Sequence, residues 1–190
     1  FQADSDAFID SPDGNITGTA ISEVSSNDAD NNVYLLNLGF ETGTASAATG
    51  AVAVSGDSRG WKKIKVLRNG NDYVLQYADL DATSYEEVTI SKNAEYNFTF
   101  FSFNTESIVD VEPLKSKWDL NFTVFSNIIP GNGAYGYSDF VVNNTKADAK
   151  VYMIDTAVDT NLTYDNFTLA NVTDANFTND QRGIGSSWRN

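Results

Sequence analysis

Neither cysteine nor histidine occurs among the 190 residues, and methionine occurs once. The first absence excludes disulfide staples and thiolate chemistry. The second removes the commonest general base, the Ser-His triad and most transition-metal sites together. Proline is scarce at three residues, and no run of eighteen apolar residues exists that would make a membrane-spanning helix. Basic residues are few as well, 12 Lys and Arg against 26 Asp and Glu, for a formal net charge of −14. Such a balance argues against nucleic acid as a partner, because phosphates demand a basic footprint. It equally disfavours adsorption to anionic lipid through the protein itself.

What the chain has instead is aromatic side chains, 13% of its residues, with 41% hydrophobic overall, enough for one buried core. They are densest between Tyr96 and Phe125. In Trp118–Val124, Trp118, Leu120, Phe122 and Val124 alternate with Asp119, Asn121 and Thr123, the two-residue period of a strand with one buried face. Tyr96, Phe98 and Phe100 share one parity, and Phe101 and Phe103 the other. That pattern predicts a central strand covered on both sides. Two such strands joined by Asn104–Lys117 would form the heart of an all-β, mostly antiparallel single domain over residues 1–190, with Trp118, Asp119 and Phe122 in its structural core. Asp119 is expected to accept backbone N–H bonds at a strand edge, so that replacing it would lower stability.

The clearest local signal is Arg68-Asn69-Gly70-Asn71, which predicts a type I′ hairpin turn over Asn69-Gly70. It would pair Val66 with Tyr73 and Ile64 with Leu75 on an apolar face, and Lys65 with Val74 and Lys63 with Gln76 on a polar one. Further strands are expected at Ile16–Val24, Asn32–Phe40, Glu87–Ser91, Asp139–Val142 and Lys150–Ile154. The segment 1–32 is acidic and turn-rich. Its Asp28, Asp30 and Asn32 imitate a calcium loop, but Val33 stands where the loop needs glycine, and a solvated acidic turn is the expectation. Ile128–Tyr137 reads as a glycine-rich loop presenting Tyr135 and Tyr137, either as a binding lip or to close a barrel end.

From Asn161 to Asp180 an Asn-apolar-Thr unit recurs every five residues, with Leu162, Phe167, Val172 and Phe177 in the apolar slot. One coil of a pentapeptide-repeat helix and a chance periodicity are both open. The same pattern creates N-glycosylation sequons at Asn161, Asn166, Asn171 and Asn176, beside those at Asn15, Asn97, Asn121 and Asn143. Most of these are read as compositional.

The order Phe100-Phe101-Ser102-Phe103, Val109-Asp110-Val111, Lys117-Trp118-Asp119-Leu120-Asn121-Phe122, a glycine-rich loop and Ile184-Gly185-Ser186-Ser187-Trp188-Arg189 is similar to the HmuY-like family. The resemblance covers about residues 90–190. It implies an all-β, exported, lipid-anchored protein of the Gram-negative outer-membrane surface, whose founding member is a haem-binding haemophore. It also implies that a final pair of strands normally follows the Trp-Arg. Characterised members hold haem iron through histidine or methionine pairs, and here only Met153 is available, at a position outside the expected ligand sites. A place in a core strand between Val151 and Ile154 is the other reading of Met153. Tyr135 and Tyr137 are the remaining candidates, since tyrosine can ligate haem iron. Asp155-Thr156-Ala157 matches an O-glycosylation signal of bacteria that carry this family, which makes Thr156 a candidate.

The functional expectation is therefore a non-catalytic surface binding protein, capturing haem or another ligand for an outer-membrane transporter. The alternative is an accessory lipoprotein subunit without a small ligand. An enzyme would have to rely on a carboxylate pair, as glycosidases do, and Asp119 is the acid to inspect first. Membrane contact is expected only through a lipid anchor lost from the chain.

Overall fold

The computed structural model describes residues 10–14, 19–49, 54–158 and 160–189. The chain is all-β: its strands pair antiparallel, and the helical segments among the described residues are three-residue 3₁₀ turns. Its contacts divide it into two compact units, one of Ile21–Glu112 and one running from Pro113 onward together with the first twenty residues.

In the first unit, β1 (Val33–Asn37), β4 (Trp61–Asn69), β5 (Asp72–Ala78) and β6 (Glu86–Ile90) form a four-stranded sheet in the order β1-β4-β5-β6. The expected strand at Asn32–Phe40 is interrupted by Gly39 at φ 74°, and Phe40 opens a separate strand, β2 (Phe40–Thr42), paired with β3 (Ser55–Ser58). Part of the expected Ile16–Val24 strand, together with Asn15, lies outside the described residues. From Thr19 to Val24 no strand forms. The calcium-like acidic segment is a solvated 3₁₀ turn, Asp28–Asp30, capped by the Asn27 side chain on the Ala29 N–H.

The β4–β5 hairpin forms where expected, with its turn one residue further along the chain. Asn69 pairs with Asp72, so Gly70 and Asn71 are the central residues, and Val66 faces Leu75 while Ile64 faces Tyr77. Gly70 sits at φ 60°, and Asn71 is absent from the residues with positive φ. That is a type II′ turn, which requires glycine only at its first central position, whereas the expected type I′ turn over Asn69-Gly70 would also force Asn69 into the left-handed region. Each partner moves by two residues, so every side chain keeps its expected face.

That apolar face is buried by aromatic rings. Tyr77, 5% exposed, meets Phe101 at 5.5 Å and Phe103 at 5.4 Å between ring centroids. Phe101 and Phe103 pack edge to face at 5.1 Å. Burial pushes the Tyr77 phenol pKa up. Phe101 belongs to β7 (Phe100–Ser102), which pairs with β8 (Ser107–Val109). The long central strand expected from Tyr96 thus shrinks to three residues in a two-stranded ribbon.

In the second unit, β9 (Leu120–Ile129) and β10 (Gly133–Asn143) make a long hairpin around Pro130–Asn132. The C-terminal segment straps the far side of β10. The N–H groups of Val141 and Asn143 donate to the Gly185 and Gln181 carbonyls, both at 3.0 Å, and Gly185 N–H returns a bond to Val141. Gln181 in turn holds the N-terminal turn, its N–H on Asp13 O and its Nε2 on Pro12 O. Gly185 has φ 58°, and a Cβ there would stand 3.1 Å from the Phe140 ring, so this position of the closing motif demands glycine.

β10 is accordingly the enclosed strand: Phe140, Val141, Val142 and Asn143 are all buried. β9 is covered on one side only, and not the side its alternation suggests. Leu120, Phe122 and Val124 are 44%, 77% and 67% exposed. The covered parity contains Phe125, which stacks on Phe140 at 4.6 Å and 11°. A two-residue period marks two faces of a strand without saying which one is covered, and here the stacked rings decide. The aromatic strands expected to face each other belong to different units and share no sheet.

The remaining expectations for structural side chains also change. Asp119 is exposed, and what it contributes is its carbonyl, which accepts the Asn144 N–H at 2.9 Å. Trp118 precedes β9 and is half-buried, its indole N–H enclosed without a hydrogen-bond partner. The fixing group is Asn144, 2% exposed, whose Nδ2 donates to the Lys115 and Trp118 carbonyls at 2.9 Å each. No strand forms at Lys150–Ile154.

The five-residue period is real in the backbone. Asn166, Asn171 and Asn176 donate their N–H to the carbonyls of Thr163, Thr168 and Thr173. The side-chain oxygens of Asn166 and Asn171 accept the N–H of Thr163 and Thr168, at 2.6 and 2.8 Å. Leu162, Phe167 and Val172 are the half-buried positions of the coil. Asn166 and Asn171 are turn-forming residues, each tied to the Thr three positions before it.

Candidate functional site

A cleft of about 590 Å³ lies in the first unit. That volume falls within the usual range for small-molecule sites. Its floor is the Phe100–Val109 pair of the β7–β8 ribbon, and its wall is the Ser91–Thr99 segment that follows β6. This segment is ordered by its own polar groups. Asn93 Oδ1 accepts the Glu95 N–H at 2.9 Å, and the Tyr96 N–H closes a turn on Asn93 O at 3.2 Å. Asp72 anchors its start by accepting the Lys92 N–H and the Ser91 hydroxyl, and Glu112 Oε1 accepts the Phe98 N–H at 2.8 Å. Held this way, Tyr96 and Asn97 form a bend and Phe98–Thr99 leads into β7 outside any sheet.

The chemistry of the cleft is apolar with a charged lip. Phe98, Ile108 and Val111 are 52%, 42% and 64% exposed, and Phe98 packs edge to face on Phe100 at 6.1 Å. Lys92 lies at the rim with its ammonium 4.6 Å from the Tyr73 ring centre. Asp110 and Glu112, two residues apart, also line it. The arrangement suits a ligand with a flat or aliphatic body and polar groups at one end. The sequence signal for this site was the odd parity of Tyr96-Asn-Phe-Thr-Phe-Phe, where aromatics on both faces reflect a ring set turned to solvent rather than a doubly covered strand.

Tyr135 and Tyr137 lie elsewhere, in the second unit. They are not on a loop: both belong to β10, on one face, with rings 4.9 Å apart and edge to face. Tyr135 is half exposed, while Tyr137 packs on Phe140 at 5.2 Å and lies under the Arg189 guanidinium, which also pairs with Asp139. Met153 is 67% exposed in an irregular segment. Two tyrosines on the same side of one strand cannot flank a haem plane from opposite faces, so this donor set does not fit two-sided axial ligation. Among the described residues, no three acids gather as a candidate metal site.

Thr156 is exposed in a turn that Asp155 caps, its carboxylate accepting the Ala157 and Val158 N–H groups at 2.9 and 3.3 Å. The second unit also holds a forked ion pair. Arg182 Nε and Nη2 donate to Asp180 at 2.9 and 2.6 Å, and Nη1 donates to Asn127 at 2.9 Å. Burial alone would raise the Asp180 carboxyl, but the hydrogen bonds and charge of Arg182 outweigh it and hold the pKa below the usual value.

Compared with known proteins, the chain matches no family model, no curated protein and no solved structure.

Proposed function

We propose that the chain is a non-catalytic binding protein of the HmuY-like kind, carried on the bacterial outer-membrane surface by a lipid anchor and passing its ligand to a transporter. The observation that carries the binding role is the cleft of about 590 Å³, whose exposed apolar side chains Phe98, Ile108 and Val111 stand on an ordered polar frame. Exposed apolar groups gathered in a concavity are costly to solvate and mark a recognition surface. The ligand would be a small, largely apolar molecule with a polar end that meets Lys92 at the rim. Haem enters as a candidate by its flat apolar body and not by iron ligation, because the available donors do not fit.

Titration with haemin, followed by absorbance, and with anilinonaphthalene sulfonate, followed by fluorescence, tests the assignment. At least one of the probes should respond at micromolar protein, and Phe98→Asp should reduce that response about tenfold while Phe122→Lys leaves it in place. Equal response in the two variants would remove the cleft from the account. Turnover of a glycoside abolished by Asp110→Asn or Glu112→Gln would replace binding by catalysis.

A specific observation also favours the accessory-subunit reading. Val33, Leu35 and Phe40 are 64%, 62% and 62% exposed in the first unit, more apolar strand surface than an isolated domain needs. Recovery of a stoichiometric membrane partner with no small molecule bound would support that reading.

A further inference from the structure

We propose that the outer edge of β9 pairs with the same edge of a second copy, joining two ribbons into one antiparallel sheet. The inference rests on backbone geometry, side-chain exposure and charge in the same five residues.

Val141 faces Phe122 and Asn143 faces Leu120 across the ribbon. Both β10 residues spend their backbone bonds on the strap, Val141 on Gly185 and Asn143 on Gln181. In an antiparallel ladder the residues opposite such positions also turn their N–H and C=O away from the partner. The backbone groups of Leu120 and Phe122 therefore point to the outer side of β9, where no strand or bridge pairs with them among the described residues. Their side chains are exposed too, Phe122 most of all at 77%.

Edges of this kind are usually protected by a lysine, a proline or an inward charge. β9 carries none: from Leu120 to Ile129 there is no ionisable side chain, in a chain of net charge −14. Leu120-Asn121-Phe122-Thr123-Val124 is also palindromic in character, apolar-polar-apolar-polar-apolar. A two-fold axis at Phe122 sets Phe122 against Phe122 of the second copy, Leu120 against Val124, and Asn121 against Thr123. All apolar groups then fall on one face and all polar groups on the other. A foreign strand would need no such symmetry, whereas a self-paired edge does. The ladder is short, so the dimer belongs to the weak class that buries less than about 1,200 Å².

The long-range charge gives the pairing a signature. Two copies of charge −14 repel, and salt shortens that repulsion to a Debye length of about 8 Å at physiological strength. Raising sodium chloride from 20 to 500 mM should therefore tighten the dimer several-fold, measured by sedimentation equilibrium. Phe122→Lys places like charges directly opposite and should leave only monomer, at an unchanged melting temperature.

Because the chain has no cysteine, Phe122→Cys supplies a second test. A hydrogen-bonded antiparallel pair holds its Cα atoms about 5.5 Å apart, within disulfide reach. Mild oxidation should cross-link Phe122→Cys at least tenfold faster than a control cysteine at Tyr164, which is 99% exposed. Equal cross-linking rates would overturn the proposal, as would a monomer at every protein and salt concentration. Cleft binding of the probes above does not depend on this edge, so either reading can fail alone.

Discussion

In the four-stranded sheet the most enclosed large side chain is Tyr77, packed on Phe101 and Phe103; in the second unit the most enclosed are Phe140 of β10 and Asn144 just after it. The first region is held by area: apolar residues at two-residue spacing on four strands, covered by rings. The second is held by fit, through an asparagine that ties two carbonyls, a glycine that admits a ring, and a strap that occupies the edge of β10. Area tolerates substitution because many atoms share it. Fit does not, since a buried carbonyl without its donor loses a whole hydrogen bond.

The sharpest way to break this contrast is to truncate one ring in each region. Tyr77→Ala and Phe140→Ala should each cost about 3–5 kcal/mol in urea denaturation, the common cost of removing a buried aromatic. If only one of the pair is costly, the comparison is wrong about where the core lies. Next comes Asn144→Ala, which leaves the Lys115 and Trp118 carbonyls buried without a donor and should cost about 2–4 kcal/mol. No substitution of a single polar residue on the four-stranded sheet should match it. Asp119→Asn belongs at the other extreme, with a change within about 0.5 kcal/mol, because its carboxylate is exposed and the useful atom is the backbone carbonyl.

Between these falls the Asp180–Arg182 pair. The folded carboxyl pKa is lowered, so its contribution is present above the ordinary carboxylate value near 3.8 and is lost as pH falls through the folded value. Asp180→Asn should cost about 1 kcal/mol at pH 7, small because both side chains are partly solvated. The gap between variant and parent should close below pH 4. A gap that widens on acidification would mean that the carboxylate is held by something other than Arg182.

Much of the first unit was readable in advance. Lys62–Val66 and Tyr73–Tyr77 alternate so strictly that the faces survive even though the turn moved from Asn69-Gly70 to Gly70-Asn71. The second unit was harder for a physical reason. Trp118, Leu120, Phe122 and Val124 alternate as cleanly as any buried set, yet Phe125, of the opposite parity, is the one that stacks on Phe140. Gly133–Tyr137 looks like a loop because glycine permits a turn, and is a strand because its partner Phe125–Ile129 supplies a ladder. The cleft was hidden in the same way. Phe98 reads as core, yet it is 52% exposed, with its N–H held by Glu112, fourteen positions on.

Local chemistry determined much: an all-β chain, its hairpin, its five-residue turns, and the exclusion of cysteine and histidine chemistry, because each follows from side chains within a few positions of one another. Tertiary structure alone decided which face of β9 is covered, that Asn144 rather than Asp119 ties the ribbon, and where a ligand-sized hollow opens. Those outcomes depend on residues 14 to 29 positions apart finding each other. Periodicity along a chain cannot say which of two apolar faces will meet a partner that arrives from so far away.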